Sequence, residues 1–154
     1  MWISRRRPSD LGISLRARRE DLKLALLVSL AFLSALTPLA VSIAGSLPPK
    51  SPGAKEAAIS LLQAPVVALA EEYLFRGYLF YLLQKVLRGD ALLVLSSSAV
   101  FALAHLPLKG PAYLLTFFPG LLMGWLRLRS GSILPSAIFH ALGNAWSIWF
   151  SPLP

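Results

Sequence analysis

The sequence contains no cysteine, and only 14% of its 154 residues are charged. Without cysteine the chain has no disulfide, no thiol nucleophile and no thiolate metal ligand. A soluble domain of this size would have about a quarter of its residues charged. Acidic side chains are especially scarce, since seven Asp and Glu stand against 15 Lys and Arg. A carboxylate inside an apolar stretch of this chain therefore calls for a physical reason.

Hydrophobic sequence is what the chain has in abundance: 56% of its residues are hydrophobic and its mean hydropathy is +0.65. Uncharged or nearly uncharged runs cover residues 24–47, 57–84, 91–106, 111–126 and 133–150. A helix needs about 20 apolar residues to cross a bilayer. The runs lack the alternation of apolar and polar residues that is typical of barrel strands. We predict an all-α, polytopic transmembrane helix bundle of about five membrane helices.

The basic residues are divided unevenly among the predicted loops. Seven of the 15 Lys and Arg lie in residues 1–23. If that segment is cytoplasmic and five helices alternate in direction, eleven basic residues fall inside and only Lys50, Lys55 and Lys109 fall outside. This is the positive-inside pattern, so the net charge of +8 indicates topology and we expect no nucleic-acid partner. We expect a multi-pass protein of the cell membrane with a cytoplasmic N-terminus.

A single membrane domain follows, with two parts. Residues 1–56 would hold the basic cytoplasmic N-terminus, the first transmembrane helix and a loop, and residues 57–154 would form the helical core. Three charges interrupt the first run of that core: Glu71, Glu72 and Arg76. Glu72 and Arg76 are four residues apart, so they share a helix face and can form an ion pair. Glu71 lies about 100° around the helix and has no local cation, which suits a general base.

The only two histidines, His105 and His140, also lie in apolar runs. Phe101 precedes His105 by one helical turn, and Asn144 follows His140 by one turn. Glu71 and His105 are each 16 residues from the turn that we place around residue 87–89. In an antiparallel helical hairpin, equal spacing from the turn puts two residues at the same depth, about 24 Å from it. We therefore expect Glu71 and His105 to face each other, and His140 to lie at a similar depth.

These residues form three motifs: Glu71-Glu72-xxx-Arg76, Phe101-xxx-His105 and His140-xxx-Asn144. In this order, on separate apolar helices, they resemble the motifs of the CPBP family, over about residues 57–150. That family includes the type II CAAX prenyl endopeptidases and bacterial bacteriocin-processing proteins, described as intramembrane glutamate proteases. The resemblance implies an endopeptidase that acts on a membrane-associated or lipidated substrate. The family commonly has more helices than this chain has room for, so a homo-oligomer is one expected form.

Chemistry and the resemblance together suggest a role for each residue. Glu71 would activate a water molecule, and His105 would help to hold and polarise it. His140 and Asn144 would donate hydrogen bonds to the oxyanion. The remaining motif residues, Glu72, Arg76 and Phe101, would support the site structurally. No cofactor is expected in this mechanism.

Two alternatives stay open. Two imidazoles and one carboxylate (His105, His140 and Glu71) are a known catalytic zinc set, although the usual His-Glu-x-x-His signature is missing. A zinc-dependent membrane metalloprotease is therefore the first alternative. The second is a non-catalytic membrane scaffold or immunity protein, in which the buried polar residues serve packing alone.

Overall fold

The computed structural model describes residues 17–151, and this part of the chain is helical throughout, with no strand. Helix α1 comes first and a short loop connects it to α2, which continues through a π-helical segment into α3 as one unbroken rod. A turn, α4 and a short 3-10 segment precede α5, and α6 is the last helix. The bounds are α1 Arg19–Ala44, α2 Ala54–Glu72, the π-helical segment Tyr73–Leu79, α3 Phe80–Leu83, α4 Asp90–Lys109, the 3-10 segment Pro111–Thr116, α5 Phe117–Ser130 and α6 Leu134–Phe150.

Three helical stretches within the described residues are long and apolar enough to cross a membrane: Arg19–Ala44, Ala54–Leu83 and Asp90–Pro107. Their outward surface is strongly apolar, with large side chains such as Leu30, Leu62 and Val66 between 66% and 76% exposed. Such surface is costly in water and suits contact with lipid. The all-helical bundle is as predicted. Helices α5 and α6, with 14 and 17 residues, are shorter than a full span of about 20.

The bundle has two chemically distinct ends. At one end, the loop of residues 45–53 is fastened to the end of α6, because the Lys50 amide donates a hydrogen bond to the Trp149 carbonyl at 2.9 Å. We call this the loop end. At the other end, Asp21 at the start of α1 lies 3.9 Å from Arg129 at the end of α5. This second end, which also carries the turn of residues 84–89, is the arginine end.

Small residues let α5 approach α4 closely. A Cβ added at Gly120 would lie 3.1 Å from the Cβ of Ser98, and one added at Gly124 would lie 3.0 Å from a Val94 methyl group. Side chains rarely tolerate such distances, so the two glycines set the separation of the helices. The spacing Gly120-xxx-Gly124 is that of helix contacts in membranes, where close packing replaces the hydrophobic effect.

Candidate active site

The second glutamate of the pair, Glu72, lies in the sealed interior. Its side chain is 0% exposed, and its Oε1 accepts hydrogen bonds from Arg76 Nη1 at 3.1 Å and His140 Nδ1 at 3.1 Å. The contact with Arg76 is the ion pair that the four-residue spacing indicates. The contact with His140 was missed at the sequence level, because it joins residues 68 positions apart in α2 and α6. It couples the ion pair directly to one of the two histidines.

Arg76 is enclosed by partners from several helices. Its Nη2 donates to the Gly120 carbonyl at 3.0 Å, and its guanidinium carbon lies 4.5 Å from the centre of the Phe101 ring. The Arg76 carbonyl in turn accepts a hydrogen bond from Arg127 Nε at 3.0 Å. The hydrogen bond from Arg76 Nη2 to the Gly120 carbonyl depends on the missing side chain, because a Cβ at Gly120 would lie 3.3 Å from Nη2. Arg76 therefore binds α2, α4 and α5 together beneath the site.

The helix changes its winding where the two glutamates end. Residues Tyr73–Leu79, which include Arg76 and Gly77, form a π-helical segment rather than a continuation of α2. Insertions of this kind occur often at functional sites, because they rotate the side chains on either side relative to one another. The sequence offered only one sign of it, a glycine inside an apolar helix.

The first glutamate, Glu71, faces both histidines from the edge of a cavity. Its Oε2 lies 3.5 Å from His140 Nε2 and 3.8 Å from His105 Nε2. The side chain is 29% exposed, yet Oε2 itself is buried and has no hydrogen-bond partner in residues 17–151. The expected meeting of Glu71 and His105 across the helical hairpin is therefore present, and His140 joins them.

Hydrogen bonds fix the direction in which each imidazole faces. His105 Nδ1 lies 2.8 Å from the Phe101 carbonyl, which can only accept, so this nitrogen carries the hydrogen. His140 Nδ1 donates likewise to the Glu72 carboxylate. A neutral imidazole has one donor and one acceptor nitrogen, so Nε2 of each neutral ring presents a lone pair toward Glu71. Glu71, His105 and His140 therefore present only acceptor atoms to one another. A proton, or a molecule that can donate hydrogens, is needed between these three side chains.

Phe101 orders the two imidazoles sterically. Its ring centre lies 4.6 Å from that of His105 and 5.6 Å from that of His140, both in edge-on geometry. On its other side it meets Phe75 at 5.1 Å, also edge-on. Since Phe101 is 2% exposed and tightly packed, it limits rotation of both histidines. The residue predicted to have a supporting role stands at the centre of the cluster.

Two cavities meet at the histidines. The larger, about 580 Å³, extends between α2 and α6 from Glu71 to the loop end. A smaller and more apolar cavity, about 240 Å³, lies among α1, α4, α5 and α6 and is lined by residues such as Phe32 and Met123. His105, His140 and Asn144 line both. Asn144 therefore lies beside the site, one turn beyond His140.

Glu71, His105 and His140 have the ligand types of a catalytic zinc centre. Zinc ligands lie about 2.0–2.2 Å from the ion, and a structural or catalytic site needs at least three of them in a suitable arrangement. Among residues 17–151, no group of three or more His, Cys, Asp or Glu is arranged so that it could hold a metal ion. We therefore derive no step of the reaction through a metal.

The comparisons with known proteins agree with the motifs. Residues 53–146 match the family described as type II CAAX prenyl endopeptidase Rce1-like, which is more than half of the 154-residue chain. The matched stretch begins just before α2 and contains all the residues of the candidate site. No curated protein and no solved structure matches the chain. The protein belongs to the Rce1-like family of type II CAAX prenyl endopeptidases.

Proposed function

We propose that this protein is an intramembrane endopeptidase in which Glu71 activates the water that attacks a peptide bond. Family membership gives the coarser activity, that of a CAAX-type protease of membranes. The observation that supports the finer proposal is the position of Glu71. Its Oε2 has no hydrogen-bond partner in the described chain and lies within 3.8 Å of both imidazoles, at the inner limit of a cavity large enough for a peptide segment.

The first chemical step uses the acceptors that converge at Glu71. A water molecule between them donates one hydrogen to Glu71 and the other to His105 Nε2, which leaves an oxygen lone pair free to attack. As the oxygen bonds to the substrate carbonyl carbon, its proton passes to Glu71. General-base catalysis of this kind contributes about 10²–10⁴-fold to the rate. The carbonyl oxygen becomes a negatively charged oxyanion.

The second requirement is stabilisation of that oxyanion. The Asn144 amide supplies a neutral N–H donor on the face of α6 that also presents His140. His140 can donate from Nε2 only as an imidazolium, because its Nδ1 hydrogen is committed to Glu72. Two carboxylates and one guanidinium lie in this cluster, so one positive charge on His140 would balance it. The intermediate then collapses: the C–N bond breaks, and Glu71 returns its proton to the leaving amine.

Glu72 and Arg76 act as positioning residues in this proposal. Glu72 fixes which His140 nitrogen faces the reacting atoms, and Arg76 neutralises Glu72 and fastens it to the Gly120 carbonyl. Neither side chain reaches the cavity, since both are 0% exposed. Their contribution is to hold His140, and the helix that carries Glu71, in a fixed geometry.

The experiment that tests the proposal compares two glutamates, one at the cavity and one away from it. Purified protein is reconstituted in phospholipid vesicles with a prenylated peptide that ends in a CAAX sequence, and in parallel with an unlipidated transmembrane reporter peptide. Glu71→Gln should lose cleavage of whichever peptide the unchanged protein cuts, and Glu20→Gln should retain it. Glu20 is a suitable control because it is exposed at the start of α1 and lines neither cavity. Cleavage by Glu71→Gln at the original rate would overturn the assignment.

Separate measurements test the two alternatives, a zinc-dependent metalloprotease and a non-catalytic scaffold or immunity protein. If the reaction used zinc, the purified protein would contain the metal in stoichiometric amount, and chelation would abolish cleavage. If the protein were a scaffold, Glu71→Ala would keep the biological effect while the protein still accumulated in the membrane. Unchanged activity after chelation, together with loss of effect in Glu71→Ala, supports the glutamate mechanism over both.

A further inference from the structure

The smaller cavity beside the histidines has no part in the mechanism proposed above. Its volume of about 240 Å³ is below the roughly 300–1,000 Å³ of pockets that enclose a whole small ligand, so it suits one part of a larger molecule. His105, His140 and Asn144 line it together with the larger cavity, so the two cavities join where the reacting atoms would lie. Large apolar side chains of four helices form its walls, namely Phe32, Leu33, Leu36, Phe101, Met123 and Phe139.

Helix α1 supplies one wall of this cavity. Phe32 and Leu36 are one helical turn apart on the same face, with Leu33 beside them, and all three are partly buried. Leu30 lies about 200° around the helix from Phe32 and is 66% exposed on the outer surface. The family match covers residues 53–146 and so does not include α1. A wall of the site is therefore built by a helix that lies outside the matched segment.

Contacts with α6 hold this wall in place at two levels. The Phe32 ring centre lies 5.5 Å from that of Phe139. Further along α1, Thr37 Oγ1 accepts a hydrogen bond from Trp146 Nε1 at 2.9 Å. Because α6 also carries His140, the wall keeps a fixed position relative to the site. An apolar pocket of fixed shape discriminates between groups that differ by one methylene by about 10–200-fold.

We propose that the smaller cavity binds the side chain of the substrate residue next to the scissile bond, and that Phe32 and Leu36 of α1 determine which apolar side chains fit. This inference rests on the proposed function, because it takes the reacting carbonyl to lie beside Glu71 and the histidines. A neighbouring substrate side chain is then within reach of a cavity that begins at the same histidines. Phe32 and Leu36 are specificity residues, and neither takes part in the chemical step.

The test uses reporter peptides that differ only in one residue next to the scissile bond, which is leucine in one peptide and the larger naphthylalanine in the other. Each of the two flanking positions is tested in turn, and kcat/KM is measured for both peptides. The unchanged protein should prefer leucine. Phe32→Ala enlarges the cavity, so it should raise the ratio of naphthylalanine to leucine cleavage by about 10-fold or more at one position. A ratio measured on one protein is insensitive to the fraction that is folded.

Two further variants complete the comparison. Phe32→Leu should shift the ratio in the same direction by a smaller factor, and it replaces Phe32→Ala if that variant does not fold. Leu30→Ala, on the outer surface of the same helix, should leave the ratio unchanged. An unchanged ratio at both positions in the Phe32 variants would overturn the proposal. A change confined to the ratio between farnesylated and geranylgeranylated peptides would also overturn it, since the cavity would then hold the lipid.

Photo-crosslinking provides a readout that requires no turnover, so its outcome is separate from that of the proposed function. Peptides with a photoactivatable leucine at successive positions are bound to Glu71→Gln protein and irradiated, and the crosslinked residues are identified by mass spectrometry. One peptide position should crosslink to Phe32 or Leu36. Crosslinks that are absent from α1, or confined to the outward-facing Leu30, would overturn the proposal whatever the role of Glu71.

Discussion

Two adjacent glutamates in one helix occupy opposite environments in this protein. Glu72 is 0% exposed and its Oε1 accepts from a guanidinium and an imidazole, whereas Glu71 is 29% exposed at a cavity, with an Oε2 that lies within 3.8 Å of Nε2 of both histidines. The rotation of about 100° between neighbouring helical residues is enough to separate them. One carboxylate serves the structure, and its neighbour is left available for chemistry.

The contrast extends to the regions around them. Beneath Glu72, the contacts of Arg76 with α5 and with Phe101 close the bundle toward the arginine end. Beside Glu71, the cavity between α2 and α6 keeps the bundle open toward the loop end. A buried ion pair contributes little net stability by itself, but removing one partner leaves an uncompensated charge. The closed region should therefore respond to substitution through folding, and the open region through activity.

The largest effect on stability is expected from Arg76→Met. The substitution leaves Glu72 charged and buried with His140 as its remaining partner, so the free energy of unfolding should fall by about 3–5 kcal/mol. Denaturant unfolding of the purified protein in detergent micelles measures it. Arg88→Met is the control, because Arg88 lies on the exposed turn of the arginine end and should change stability little. Equal stability of the two variants would contradict the claim that the buried contacts of Arg76 stabilise the closed region.

Asn144→Ala should act on the open region instead. Loss of an oxyanion donor lowers the rate of the chemical step by about 10²–10³-fold. Unfolding should be unaffected, because Asn144 lines the cavities and is not part of the packed core. Single-turnover cleavage measures the rate, with Gln84→Ala, on the exposed turn at the arginine end, as the control. A rate equal to that of the control would deny Asn144 a part in the reaction.

Gly120→Ala should have a smaller effect on the closed region. The added methyl group would lie 3.1 Å from Ser98 Cβ and 3.3 Å from Arg76 Nη2, so α4 and α5 must separate slightly. Overpacking of this kind costs about 1–3 kcal/mol. Gly143→Ala is the matched control within α6, because a Cβ added there would have nothing within 4 Å. It should raise stability by about 0.5–1 kcal/mol through helix propensity, and a loss of similar size in both variants would contradict the packing argument.

Local spacing was sufficient to predict part of this arrangement. The Glu72–Arg76 pair followed from a separation of four residues, and the approach of Glu71 to His105 followed from equal distances to a turn. Both inferences need only the regular rise and rotation of helices. The all-helical bundle followed from the length of the apolar runs. Each of these features is fixed within one helix or one hairpin.

Features that depend on packing between distant helices could not be predicted in this way. The Glu72–His140 hydrogen bond requires the relative rotation of α2 and α6, which no spacing within either helix determines. The π-helical segment at Tyr73–Leu79 shifts the phase of the helix after Glu72, and helical periodicity assumes a constant phase. The direction of the cavity depends likewise on how α2 and α6 separate toward the loop end.

The most direct test of the account measures turnover and unfolding together in Glu71→Gln and Glu72→Gln. The account predicts that Glu71→Gln lowers turnover by about 10²–10⁴-fold and leaves the unfolding midpoint unchanged. Glu72→Gln should lower the unfolding midpoint, because Arg76 then stays buried without its counter-ion. Near-normal turnover in Glu71→Gln, with the protein correctly folded, would contradict the claim that this carboxylate activates water.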